Sequence, residues 1–88
     1  MYETAYHKDE FKLRLEARIK NAELVGARET LGLSQEEAAR RIGINPVSLC
    51  SIENMRHYPN KNLQRKICEF YRKNGVFLFE NDVFPEEL

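Results

Sequence analysis

Two histidines, two cysteines and balanced numbers of cations and anions carry the reactive groups of this 88-residue chain. Their spacing decides which chemistry is open to them. Cys50 and Cys68 form no CxxC pair, and no histidine stands at metal-ligand spacing from either. They are expected to be buried or semi-buried free thiols, with no metal bound. His7 and His57 read as surface residues. No serine–histidine–aspartate set, glycine-rich phosphate loop or carboxylate pair points to catalysis, so neither an enzyme nor a cofactor is expected. What remains is recognition by charge and hydrogen bonding. Residues 34–66 carry Arg40, Arg41, Arg56, Lys61, Arg65 and Lys66 against Glu36, Glu37 and Glu53. Residues 67–88 reverse the balance, with Arg72 and Lys73 against Glu69, Glu80, Asp82, Glu86 and Glu87. The formal net charge of zero therefore averages a basic middle with an acidic tail and hides a candidate phosphate-facing surface.

The elements that must hold such a surface are legible from caps and periodicity. Asn21 is a fair N-cap for a helix bearing Leu24, Ala27 and Leu31, which Gly32 stops. Ser34-Gln35-Glu36-Glu37 has the spacing of a capping box, with the Ser34 hydroxyl accepting from the Glu37 amide and the Glu37 side chain returning to the cap. The short helix that follows turns Ala38, Ala39 and Ile42 inward and ends at Gly43. Asn45-Pro46 opens the next helix, with Pro46 in the first turn, where a missing N–H is harmless, and Leu49 and Ile52 on its buried face. Tyr58-Pro59 breaks this helix or the loop after it. A last helix runs from Asn60 or Asn62 to about Lys73, with Leu63, Ile67, Phe70 and Tyr71 as its apolar stripe and Asn74-Gly75 as its end.

The flanks are less regular. Phe11, Leu13, Leu15, Ala17 and Ile19 alternate with Lys12, Arg14, Glu16 and Arg18, which predicts a strand. The same residues are good helix formers, so a helix is the competing assignment. Val76-Phe-Leu-Phe79 and Val83-Phe84-Pro85 are too apolar for a free tail. They are expected to pack on the domain, pair with the N-terminal strand, or form a dimer contact.

Two short helices joined at a glycine turn and flanked by further helices make a helix-turn-helix arrangement. In the run from Ala27 to Asn54, Leu31-Gly-Leu-Ser-Gln35, the Ala39/Gly43 spacing and Ile52-Glu-Asn54 occur together and in order. This run resembles the phage-repressor-like helix-turn-helix proteins, typified by lambda repressor and Cro (the XRE type). With the following helix the resemblance covers roughly residues 21–74. It implies a mainly α fold, a lambda-repressor-like DNA-binding domain of four to five helices, here with the N-terminal strand added. The implied recognition helix runs from Pro46 to about Asn54. Gln35 matches a position touching the DNA backbone. Asn45, Pro46, Val47, Ser48 and Ser51 fall where the family meets base edges or nearby phosphates, and Asn54 and Arg56 where it holds phosphates. Arg28 and Glu53 match a buried structural ion pair. The family often carries a hydrogen-bonding residue such as Gln where this chain has Pro46. Neither Pro46 nor the apolar Val47 can make a bidentate adenine contact. Readout would then rest on Val47 against a thymine methyl, on Ser48 and Ser51, and on DNA shape.

The resulting expectation is a sequence-specific transcriptional regulator, a repressor, that binds double-stranded DNA as a homodimer. Its organisation divides into an N-terminal extension (1–20), the helix-turn-helix domain (21–74) and an apolar, acidic C-terminal segment (75–88). No stretch approaches the roughly 20 apolar residues of a membrane span, and the first residues lack the pattern of a secretory signal. A cytoplasmic location is the expectation. The alternative is a protein-interaction module on the same scaffold, an antitoxin or a transcription adaptor, with the C-terminal segment meeting a protein partner.

Overall fold

The computed structural model describes residues 20–85, so the strand expected at residues 11–19 lies outside the described part. Five helices follow in order: α1 (Ala22–Thr30), α2 (Gln35–Ile42), α3 (Pro46–Glu53), α4 (Lys61–Lys73) and α5 (Glu80–Val83). The fold is mainly α, and no strand occurs among the described residues.

The four longer helices start where a side chain can replace the missing intrahelical acceptor. Asn21 Oδ1 accepts from the Leu24 amide, Ser34 Oγ from Glu37, Asn45 Oδ1 from Val47, and Asn60 Oδ1 from Leu63. Each cap stabilises its helix by about 1 kcal/mol. The capping box at Ser34 is only half formed. Glu37 turns down its own helix to Arg41 at 3.0 Å and Arg40 at 3.8 Å, because an i,i+4 charge pair competes for its carboxylate.

Helix ends follow one pattern. After α1, α3 and α4 the chain makes paired bonds back to the last turn, from Leu33 to Arg28, from Arg56 to Ser51 and from Val76 to Tyr71, around a left-handed residue. Gly32 and Gly75 fill that position after α1 and α4, and Gly43 does so after α2. After α3 the residue is Met55, at φ 58°, the one non-glycine with positive φ among the described residues.

Packing uses two connected clusters. Leu24, Ala27, Ile42, Ile52, Ile67, Cys68 and Tyr71 form the larger, joined by Leu78, Val83 and Phe84 from the C-terminal segment. Ala38, Ala39 and Leu49 form the smaller, between α2 and α3, sealed by Leu33 and Ile44. Small side chains at 38 and 39 let the two helices approach closely. The C-terminal segment splits its apolar residues: Leu78 is buried, whereas Phe77 and Phe79 remain 71% and 54% exposed. Arg72 fastens it through the Leu78 carbonyl at 2.6 Å and the Glu80 carboxylate at 3.2 Å. The Tyr58 hydroxyl donates to the carbonyls of Phe84 and Pro85, both at 3.0 Å. Helix α5 is a single turn and gives no sequence period; tertiary contacts hold it.

The left-handed residue at 55 yields a stability test. Met55→Gly should raise stability by about 0.5–1 kcal/mol, the Cβ strain relieved less glycine's greater unfolded-state freedom. Gly43→Ala should lower it by about 1–2 kcal/mol, since only the yielding Lys66 side chain faces the added Cβ and φ sets the penalty. Urea unfolding of both variants measures the pair.

Candidate nucleic-acid interface

Helix α3 has two faces with different tasks. Leu49, Ile52 and Glu53 are buried, and spacing of four and then three residues puts Val47, Ser51 and Asn54 in one row on the opposite side. Val47 is 73% exposed at the head of that row and belongs to neither apolar cluster. Ser48 and Ser51 are half-buried beside it, and their hydroxyls make no hydrogen bond among the described residues.

The α3 axis is held by one buried carboxylate. Glu53 is 1% exposed. Arg28 of α1 grips it in a two-pronged contact, Nε to Oε2 at 2.9 Å and Nη2 to Oε1 at 3.1 Å. Gln35 of α2 donates its Nε2 to Oε1 at 2.8 Å. Arg28 Nη1 also reaches the Leu33 carbonyl, tying down the turn between α1 and α2. The Glu53 hydrogen bond is the main reason the Arg28 guanidinium is held above its ordinary pKa, burial opposing it. Tyr71 lies within the field of this pair; its buried hydroxyl has no hydrogen-bond partner among the described residues, and burial foremost, then Glu53, pushes its pKa up to about 12. Burial likewise raises the Cys68 thiol to about 11.

The residues named from sequence therefore divide. Asn45 caps α3, with its side-chain oxygen engaged by the Val47 amide at 2.7 Å. Pro46 and Val47 are exposed at the first turn. Asn54 Nδ2 lies 3.3 Å from Cys50 Sγ, which occupies the flank of the helix. Arg56 is exposed and its guanidinium pairs with nothing among the described residues. Gln35 differs most, since its amide nitrogen is turned inward to Glu53, although its own backbone N–H remains at the open start of α2. Both cysteines are free, Cys50 half-buried and Cys68 buried.

Two positions matter beyond their sequence reading, in which Lys66 is one of the cations of the basic middle and Gln64 is not singled out. Lys66 crosses from α4 to donate to the Gly43 carbonyl at 3.3 Å, which sets a cation at the turn entering α3. Gln64 is buried and donates to the Pro59 carbonyl at 2.8 Å, fixing the loop that carries Arg56. A polar residue inside the α4 apolar stripe was the signal for Gln64. Among the described residues no cluster of metal-ligating side chains occurs, and no helix is long and apolar enough to cross a membrane.

This network makes two predictions. Arg28→Ala should lower stability by about 3–5 kcal/mol, because Glu53 is left buried without its cation, and a double-mutant cycle with Glu53→Leu should show strong coupling. In alkali, both raised acids make stability complete below their ordinary values near 9 and 10, and it is lost as pH rises towards about 11 for Cys68 and about 12 for Tyr71. Tyr71→Phe removes an unpartnered hydroxyl, so it should be near neutral at pH 7 and should blunt the fall above pH 10 in a denaturant series.

Residues 26–78, more than half of the chain, match the family model described as helix-turn-helix. No curated protein and no solved structure gives a significant match. With α2 capped by Ser34, a glycine turn and an α3 whose outer side faces outward from Val47, the chain belongs to the helix-turn-helix family of lambda-repressor-like (XRE) type, a family of DNA-binding transcription regulators.

Proposed function

We propose that this protein is a sequence-specific repressor that lays α3 in the major groove and binds a two-fold related site as a homodimer. The observation carrying the reading is the outward row Val47–Ser51–Asn54, open at Val47 and partly open at Ser51 and Asn54, on a helix whose other side is locked by Glu53. A rigid helix with an open polar flank suits base-edge readout. Val47 is suited to a thymine methyl, and the Ser48 and Ser51 hydroxyls to either a donor or an acceptor on a base edge. Asn45, Pro46 and the α3 N-terminus approach the backbone at the entry side, with the Gln35 amide at the start of α2. Asn54 and Arg56 take phosphates at the exit side.

A helix of eight residues touches few base pairs, and two copies with half-sites roughly 34 Å apart supply the missing specificity. Phe77 and Phe79 are the exposed aromatic residues suited to that contact. Occupancy of an operator by such a dimer blocks transcription without any further surface, which favours repression. The same two rings would serve a protein partner in the interaction-module reading.

Binding to a random duplex should weaken steeply with salt, since each phosphate contact contributes about 0.9 to the log–log slope. Arg56→Ala should lower affinity for all sequences alike and reduce that slope by about 1. Val47→Ala or Ser51→Ala should instead alter the sequences recovered from a random pool, each altered position discriminating by about 1–3 kcal/mol. If the folded variants leave affinity and preference untouched, α3 is not the reading element. Sedimentation that shows a monomer at high micromolar concentration and on DNA removes the dimer.

A further inference from the structure

A groove of about 360 Å³ opens beside the exit of α3, between the loop 55–59 and the C-terminal segment. That size falls at the small end of the roughly 300–1,000 Å³ in which proteins bury small ligands. Its walls are mostly apolar, with Ile52, Met55, Tyr58, Pro59 and Phe84 among them. Hydrogen bonds fix the walls relative to one another. The Tyr58 hydroxyl donates across the groove to the carbonyls of Phe84 and Pro85, both at 3.0 Å. Asn21, also on the wall, donates its backbone amide to the Glu53 carbonyl at 2.7 Å and its Nδ2 to the Val83 carbonyl at 2.9 Å.

The chemistry of the lining selects an occupant. Arg56 and His57 border the opening, and no Asp or Glu lines it among the described residues. The Arg56 backbone is held by the Ser51 carbonyl at 2.8 Å, while its guanidinium pairs with nothing among the described residues. A carboxylate suits that guanidinium, which can meet both of its oxygens, and an imidazole N–H of His57 can donate to it as well. The apolar part asks for an aromatic body. The Tyr58 and Phe84 rings already meet edge to face at 6.3 Å, and the Met55 thioether beside them favours contact with a further ring. A bare inorganic anion would leave these walls empty, and a plain hydrocarbon would leave the cationic rim unused.

We propose that this groove binds a small aryl-alkyl carboxylate, its ring among Met55, Tyr58 and Phe84 and its carboxylate on Arg56, and that the bound acid weakens DNA binding. The binding half stands on the groove alone; the release half rests on the DNA-binding reading, in which Arg56 holds a phosphate. A guanidinium engaged by a ligand carboxylate has its charge cancelled and its donors taken, so acid and duplex compete for it. The coupling is reciprocal: DNA must weaken the acid by the factor by which the acid weakens DNA.

The probe is 4-phenylbutanoate, with neutral 4-phenylbutanamide as its counterpart, titrated into the full chain and followed by two-dimensional amide NMR. The acid should saturate with a Kd on the order of 1 mM or tighter, and the shifts should concentrate at residues 52–58 and 83–84. The amide should bind roughly tenfold or more weakly, and Arg56→Gln should abolish that difference. Met55→Asp, which suits the left-handed backbone at 55, should weaken the acid by roughly tenfold or more, with circular dichroism verifying the helices. No saturation, shifts centred elsewhere, or equal binding of acid and amide overturns the site. Groove resonances that move on dilution without ligand also overturn it, by giving the groove to a second copy. For release, a labelled random duplex is titrated at matched ionic strength with saturating acid. The log–log salt slope should fall by about 1, as in Arg56→Ala, and the acid should change nothing further in that variant. An unchanged slope with the acid bound overturns release alone. Absence of salt-dependent DNA binding in the unmodified, ligand-free protein overturns the DNA reading itself, and the NMR result then stands separately.

Discussion

A single buried carboxylate governs how the three helices of the motif meet. Glu53 ends α3, yet its side chain is gripped by Arg28 from α1 and Gln35 from α2, and its backbone carbonyl accepts from Asn21 at the start of α1. Removing such a charge from water is costly, so the arrangement is favourable only when every partner is in place. That condition works as a geometric filter. An apolar residue at 53 would allow α3 to rotate or slide through Leu49 on Ala38 and Ala39 of α2, because methyl and methylene contacts are nearly non-directional. Three hydrogen bonds to two oxygens allow one register. The row of side chains on the far side inherits that register.

The same constraint explains a division between affinity and selectivity. Within α3 the only charged side chain, Glu53, is turned inward, so its outer surface is neutral. Cations stand around it instead, with Lys66 at the entering turn and Arg56 past the exit. Phosphate attraction falls off with screening but needs little geometry, whereas base-edge contacts need a fixed helix and tolerate no error. Placing charge on loops and neighbouring helices, and small neutral side chains on the helix held by Glu53, matches each demand to the part that can meet it. Gln35 sits at the junction, its side chain committed to Glu53 and its backbone N–H left open.

Sequence alone shows most of this frame, because its local signals agree with the tertiary structure. Asn21, Ser34, Asn45 and Asn60 cap the helices in the structure, each through a short side-chain bond encoded within three residues. Signals fail where partners are distant or compete. Glu37 is equally suited to the cap and to Arg41, and only coordinates decide between them. Met55 bears no mark of its left-handed backbone, since the two bonds that enforce it come from residues 51 and 52 of the preceding helix. Gln64 disrupts an apolar stripe without revealing that Pro59 is its acceptor. Helix α5 has too few residues for periodicity to register. For the site, the outer row follows from helical spacing, but the roles of Gln35 and Lys66 depend on contacts across 18 and 23 positions.

Zero net charge is compatible with a polyanion partner where acidic residues are paired with cations of the same chain. In the C-terminal segment Glu80 is neutralised by Arg72, which also stacks over the Phe79 ring at 5.6 Å. On α2, Glu37 is shared by Arg40 and Arg41. Glu53 is buried against Arg28. Each of these pairs sums to no more than a local dipole, whose field decays faster than that of a lone charge. Arg56 has no such counter-ion among the described residues, and at the opposite end of α3 the exposed N-terminal turn adds partial positive charge. With Lys66 at the entering turn and Arg56 past the exit, the two ends of α3 each carry a cation, and Glu36 at the start of α2 is the exposed anion they stand against.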